Sequence, residues 1–65
     1  MENGYRVVVK KLDDENYREP FELTESLRRA ERVERGVHIN LNHGCYYTVI
    51  EHVEGGQTVE TIENY

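Results

Sequence analysis

The chain has 65 residues, a formal net charge of −5, one cysteine and 37% hydrophobic residues. This length predicts one small domain over residues 1–65, whose thin core makes a homodimer a reasonable expectation. The acidic balance gives no general attraction to phosphate backbones or anionic membranes. The lone cysteine favours a reducing compartment, and no apolar run approaches the ~20 residues that span a bilayer. We therefore expect a cytoplasmic protein without membrane contact.

The first predicted element is a strand from Tyr5 to Leu12, built around three consecutive valines. Such β-branched residues favour extended backbone. Alternation along the strand places Tyr5, Val7 and Val9 on one face, which we expect to face the core.

A second strand is predicted from Tyr17 to Leu23, folded back on the first. Pro20 cannot donate to a strand ladder, so this strand would lie at an edge or be broken there. The alternative is an irregular segment that buries Phe21.

An amphipathic helix is predicted from Thr24 to Gly36. Thr24 is the expected N-cap residue, and Gly36 is expected just beyond the end in a left-handed conformation. The apolar residues of this segment recur at steps of three and four and form one stripe; they are Leu23, Leu27, Ala30 and Val33.

The next segment, Val37 to Leu41, alternates as a strand does. Asn42, His43 and Gly44 then resemble a three-residue hairpin loop with a positive φ at Gly44. The resulting register places apolar residues on one shared face; its pairs are Leu41 with Cys45, Ile39 with Tyr47, and Val37 with Val49.

A second tight turn is predicted at Glu54–Gln57, followed by a last strand from Thr58 to Ile62. Val59 and Ile62 have opposite parity, so either a bulge corrects the strand or its end is loosely held.

The predicted fold is α+β, with one helix on one face of a mostly antiparallel sheet of four or five strands. The element order is β-β-α-β-β-β or, without the Tyr17 strand, β-α-β-β-β, and one sheet face stays open to water.

Three histidines and one cysteine raise the question of a metal or a thiol nucleophile. Zinc needs four converging ligands, and the predicted register turns Cys45 towards the core while His38 and His52 point away. A thiol nucleophile would also need an orienting group and an oxyanion hole. We therefore predict no metal site, no catalytic residues and no cofactor.

The predicted open face has the composition of a protein contact surface, because it combines an aromatic, a branched aliphatic and hydrogen-bonding groups. Its members are Tyr46, Ile50, His38, Asn40, Thr48 and His52, bordered by the acidic residues Glu51 and Glu54. These residues are the predicted partner-binding site, and the expected partner is a protein with a basic groove. The ordinary alternative is a sheet surface that is merely rich in strand formers.

The outer face of the helix offers a second candidate. Arg28, Arg29, Arg32 and Arg35 provide half of the positive charge of the chain, and arginine forks suit phosphates. Glutamates interleave with them, a pattern more typical of a solvated, salt-bridged face. Nucleic acid is therefore the less favoured direct ligand, and this face is the alternative site.

The predicted architecture combines the leading strand, the segment TESLRRAERVERG (Thr24 to Gly36) and the two terminal hairpins in one tiny acidic chain. It resembles the architecture of small phage-encoded inhibitors, anti-CRISPR proteins among them. That resemblance implies a non-enzymatic protein of the host cytoplasm. It would bind a nucleoprotein effector and block a nucleic-acid-binding surface. No motif matches residue by residue, so the resemblance assigns no site residues.

Overall fold

The structure, a computed structural model, describes residues 3–63. Within that range the chain forms four strands and one helix, which confirms the predicted α+β class. The bounds are Gly4–Lys11 for β1, Asp14–Pro20 for β2, Leu27–Asn40 for α1, Tyr46–Glu54 for β3 and Gln57–Ile62 for β4.

The strands form one antiparallel sheet in the order β2-β1-β3-β4. The central pair, β1 and β3, runs from Gly4 opposite Val53 to Lys11 opposite Tyr46. The observed order of elements, β-β-α-β-β, differs from both predicted orders. It includes the second strand but has no strand immediately after the helix.

The second strand lies earlier in the chain than predicted, because the turn after β1 is very short. Asp14 already pairs with Lys11, and its side chain accepts the Asn16 N–H at 3.0 Å. The strand ends at Pro20, which has no N–H to donate. Phe21 remains 37% exposed, so the alternative of an irregular segment that buries Phe21 is wrong.

The helix begins later than predicted because Thr24 forms hydrogen bonds with the first residues of β1. Thr24 and Tyr5 exchange backbone hydrogen bonds of 2.6 and 2.8 Å, and the Thr24 hydroxyl donates to the Tyr5 carbonyl. The N-cap is Ser26, whose Oγ accepts the Arg29 N–H at 3.2 Å. The prediction of Thr24 as the cap is therefore wrong.

The helix also ends later than predicted. Gly36 lies inside α1 without a positive φ, and the helix runs on to Asn40. Val33, Val37 and Leu41 follow one another at steps of four, so the helical stripe continues through the segment predicted as a strand.

Residues 42–45 consequently connect a helix to a strand and do not close a hairpin. The positive φ expected at Gly44 is absent, and Cys45 is exposed instead of facing the core. The predicted register of Val37–Leu41 against residues 45–49 is wrong for the same reason.

The parity of β3 is the opposite of the predicted one. Ile50 lies across from Val7 in the sheet, and both pack against Ala30 of the helix with exposed fractions of 0% for Ile50 and 1% for Val7. The core positions of Tyr5 and Val7 on β1 are confirmed. Ile50 and Thr48 were predicted to be open to a partner, and the helix covers them instead.

The sheet is curled, and the centre of its other face is buried too. Val8 and Val49 lie opposite each other there, and Val53 follows on β3; all three are almost fully buried. The expectation of one face open to water therefore fails at the centre of the sheet.

The β3–β4 hairpin follows the prediction closely. Gly55 and Gly56 form its two-residue turn, with φ values of 60° and 79°. His52 pairs with Glu60 while Val53 pairs with Thr58, so Val59 bulges out of the ladder. The bulge explanation of the parity is confirmed.

None of the helices described in residues 3–63 is both long and apolar enough to cross a membrane.

Candidate functional site

An open groove lies beside the helix. The helix packs on β1 and β3 and makes no close Cα approach to β2 or β4. One helix is about 10 Å wide, whereas four strands spaced ~4.8 Å apart span nearly twice that width. The flank of the sheet over β2 is therefore left uncovered, and we call the space between them the α1–β2 groove.

The sheet wall of the groove is aromatic. Tyr17 and Phe21 come from β2 and the residue that follows it, and Tyr46 comes from the start of β3. The Tyr17 and Tyr46 rings lie 5.7 Å apart at 55°, within the range of favourable tilted aromatic pairs. The groove volume is about 660 Å³.

One polar pair accompanies these rings. The Tyr17 hydroxyl donates to the Glu19 carboxylate at 3.1 Å. This hydrogen bond, with the nearby negative charge, raises the pKa of the Tyr17 hydroxyl. The wall thus offers a ring surface and one exposed carboxylate.

The helix wall is formed by one flank of α1 near its C-terminal end. Val33, Gly36, Val37 and Asn40 line it at steps of three and four, and Leu41 closes the end. A second depression of about 410 Å³ shares Phe21 and Val33 with the first and continues towards Arg29. The α1–β2 groove therefore follows most of the helix.

No protein-family model, curated protein or solved structure matches this chain in comparisons with known proteins.

Two residues of the predicted partner-binding set, Tyr46 and Asn40, line the α1–β2 groove. The other members of that set are dispersed. His52 stacks on Tyr5 with ring centroids 4.5 Å apart, and it lies 3.5 Å from the exposed Glu54 carboxylate. The predicted face does not exist as one surface.

Three more residues, two of them from the predicted set, form a hydrogen-bonded chain between helix and sheet, in which Glu34 and Thr48 are buried and His38 is half-buried. The Thr48 hydroxyl donates to the Glu34 carboxylate at 2.9 Å and lies 2.6 Å from His38 Nε2. A hydroxyl has one proton, and here it goes to Glu34, so His38 Nε2 must be the donor to Thr48. The His38 carbonyl in turn accepts from Leu41 N–H and from His43 Nε2. This network secures the C-terminal half of α1.

Glu51, predicted at an acidic rim, is 3% exposed and lies at the centre of an ion cluster. Arg18 donates to both of its carboxylate oxygens at 2.6 and 2.7 Å, and Arg6 Nε donates at 2.9 Å. Burial raises the pKa of Glu51, but the hydrogen bonds from Arg18 and Arg6 outweigh burial and bring the pKa to about 2. Glu51 therefore stabilises the sheet and is not available to a partner.

The four helix arginines remain exposed, as predicted. Within residues 3–63, the side chains of Arg28, Arg29, Arg32 and Arg35 make no ion pair or hydrogen bond. Glu25 cannot form an i,i+4 ion pair with Arg29 within the helix, because Glu25 precedes its first turn. The helix face is therefore solvated, as the alternative interpretation expected, but the described residues form none of the salt bridges that this interpretation included.

Among residues 3–63, no group of three or more histidine, cysteine or acidic residues is placed to hold a metal ion. His38 and His43 approach edge to face with centroids 5.2 Å apart. The Cys45 sulfur accepts instead from the Asn42 side chain at 3.6 Å.

Sequence reasoning missed Tyr17, Phe21, Gly36 and Leu41 as members of the candidate site. The one available indication was Gly36, a glycine followed by Val37 and Leu41 at helical spacing from Val33. A helix extended through Gly36 to Leu41 would have placed these residues on one helical flank and so indicated the helix wall of the groove.

Proposed function

We propose that the protein is a small binding module that occupies the surface of a partner protein and catalyses no reaction of its own. The observation that supports this best is the α1–β2 groove, where Phe21 is 37% exposed beside Tyr17 and Tyr46. Aromatic side chains grouped in such a depression are common anchors of protein interfaces. The groove replaces the Tyr46 and Ile50 face, since Ile50 is buried.

The partner surface in this proposal is basic. Glu19 and Glu22 are exposed along the sheet side of the groove, and the whole chain carries a net charge of −5. Charge complementarity of this kind favours encounter with a positively charged surface. By occupying a surface that normally holds nucleic acid, the protein would inhibit a nucleoprotein effector in the host cytoplasm, as the resemblance to phage-encoded anti-CRISPR proteins implies.

Affinity capture with matched variants tests the proposal. Phe21→Ser removes an aromatic anchor from the groove, and Leu12→Ser removes an exposed apolar side chain outside it. We expect quantitative mass spectrometry to recover a partner with the wild type and with Leu12→Ser, but not with Phe21→Ser. Equal recovery by all three proteins would exclude the groove as the interface. Sedimentation of the pure protein measures whether a second copy is that partner.

A second candidate function is supported by the free arginines of α1. Arg28, Arg32 and Arg35 lie on one stripe of the helix, exposed and without an ion-pair partner among the described residues. The two arginines of the sheet, Arg6 and Arg18, both bind Glu51. Unpaired arginines on one helical face suit the phosphates of nucleic acid.

Fluorescence anisotropy with a labelled oligonucleotide of about 20 nucleotides tests this candidate. The triple variant Arg28→Gln, Arg32→Gln, Arg35→Gln should abolish a binding signal that falls steeply with salt. The control is the double variant Lys10→Gln, Lys11→Gln, which removes positive charge from β1. Binding that is absent at low salt, or lost equally in the control, rules out the arginine stripe as a nucleic-acid site.

A further inference from the structure

Building on the proposed docking groove, we propose that its occupant is an amphipathic α-helix of the partner, which lies alongside α1 and approaches it most closely at Gly36. Three independent features of the described residues support a helix over any other shape. They are the open space beside α1 over the edge strand β2, the presence of a glycine at Gly36, and the missing main-chain donors at the β2 edge.

The space beside α1 over the β2 edge can hold one more helix. The α1 helix packs on β1 and β3, and β2, ~4.8 Å from β1, is the edge strand on this side of the sheet. A second helix packed about 8–10 Å from α1 would lie over β2 and extend past that edge. The two depressions joined at Phe21 and Val33 follow the 14-residue helix along most of its length. A partner helix in this position would complete a two-helix layer over a four-stranded sheet, an arrangement in which both layers bury their apolar faces.

Gly36 has no reason within the described structure to be glycine. Its φ is not positive, and a Cβ added to it would meet nothing within 4 Å. Glycine in an exposed helix interior weakens the helix relative to alanine. A glycine that the fold does not require, on the flank that lines the groove, suits the close approach of another backbone. Val33, Val37 and Asn40 surround it at the spacing of a helix-packing face.

The β2 edge is a poor template for an extended peptide. Pro20 has no N–H, and the Asn16 N–H is already taken by the Asp14 side chain. Strand addition depends on such main-chain donors. An extended occupant would therefore lose two of the main-chain hydrogen bonds that give strand addition its affinity, whereas a helix needs none of them.

Rim charges define the chemistry of the partner helix. Glu19 and Glu22 are exposed on the sheet side, and on the helix side Arg29 is exposed with Glu25 in the same depression. A matching helix has an apolar ridge at positions i, i+3, i+4 and i+7. It has lysine or arginine on the flank towards β2 and an acidic residue opposite Arg29.

Nuclear magnetic resonance with designed peptides tests this inference. The probe is a peptide of about 18 residues with leucines on one helical face, lysines on one flank and glutamates on the other. A second peptide has the same composition arranged with a period of two, as in a strand. Amide shifts of the labelled protein are followed at about 150 mM salt.

Two glutamine variants of the protein provide the matched comparison. Gly36→Gln places a long side chain on the groove wall, and Ile39→Gln places the same side chain on the outer face, where Ile39 is 82% exposed. Both substitutions are at exposed helix positions, so the fold is retained in each. Thermal unfolding of both variants verifies this independently of binding.

The expected result is binding of the helical peptide with amide shifts confined to β2 and the Val33–Leu41 flank of α1. Gly36→Gln should weaken that binding by about tenfold or more, and Ile39→Gln should leave it unchanged within about twofold. Equal affinity of the two protein variants, or shifts confined to the arginine stripe, would overturn the inference.

The helical occupant can be wrong while the α1–β2 groove is still a docking site. If only the strand-patterned peptide binds, and Phe21→Ser abolishes its binding, the groove remains a docking site and the helical occupant is wrong. If neither peptide binds, while lysate capture still depends on Phe21, the conclusion is the same. If capture does not depend on Phe21 either, the proposed function fails as well.

Discussion

Arg18 on the edge strand β2 and Glu51 on β3 form a two-pronged ion pair across the intervening strand β1. The two Arg18 nitrogens lie 2.6 and 2.7 Å from the two carboxylate oxygens. Arg6, on β1 between them, donates to the same carboxylate at 2.9 Å, and Thr58 on β4 donates at 3.2 Å. One carboxylate thus connects all four strands, which gives the protein a specific sensitivity to acid.

We predict that acid weakens the fold between about pH 4.5 and pH 2. The pKa of Glu51 is lowered from 4.5 to about 2 in the folded state, so its stabilising contribution is complete above pH 4.5 and is lost as the pH falls towards 2. The shift corresponds to about 3 kcal/mol of unfolding free energy. Urea titrations across this range measure it.

The matched variants are Glu51→Gln and Glu54→Gln. Glu51→Gln should flatten the pH dependence in this window, and Glu54→Gln should leave it as in the wild type because Glu54 is exposed. An unchanged acid profile in Glu51→Gln would show that the ion cluster does not govern acid stability.

The second prediction concerns Thr48, the central member of the chain that joins the helix to the sheet. Thr48→Val keeps the shape of the side chain but removes the hydroxyl that donates to Glu34 and accepts from His38. Leaving the buried Glu34 carboxylate without this donor should lower the unfolding free energy by about 1–3 kcal/mol. Thr61→Val, on the exposed edge strand, should change it by less than about 0.5 kcal/mol. Equal effects of the two variants in denaturant unfolding would contradict the network.

Much of the fold was accessible from the sequence because several segments have one dominant pattern. The valines of β1 and the paired glycines of the last hairpin admit few alternatives, and both were placed correctly. The segment Val37–Leu41 was not, because its residues fit two periods at once. Val37 and Leu41 fall on one face of a helix, while Val37, Ile39 and Leu41 alternate as a strand would.

The error at Val37–Leu41 then determined the error in the candidate site. With a strand assumed there, Tyr47 and Val49 had to face the core, and Ile50 was turned outward. In the structure β3 takes its register from β1, which places Ile50 opposite Val7 beneath the helix. Pairing between residues so distant in the chain leaves no local pattern, so sequence alone could not choose between the two parities.

Alanine substitutions at two isoleucines test which face of β3 packs under the helix. Ile50→Ala should lower the unfolding free energy by about 2–5 kcal/mol, because it empties part of a core shared with Val7 and Ala30. Ile39→Ala removes the same atoms from a side chain that is 82% exposed. Its effect should stay within about 0.5 kcal/mol. The reverse order of the two effects in chemical denaturation would restore the parity predicted from the sequence.

The last prediction is that alanine at two glycines has opposite effects. Gly4 has a φ of 152°, and a Cβ there would collide with the Thr24 carbonyl oxygen, which accepts the Tyr5 N–H. Gly4→Ala should therefore disrupt the link between β1 and the segment before the helix and lower the unfolding free energy by about 1–3 kcal/mol. Gly36→Ala meets open space within a helix and should raise it by about 0.5–1 kcal/mol. Paired thermal and urea unfolding of the two variants measures the signs, and a loss of stability in Gly36→Ala would mean that the fold itself requires this glycine.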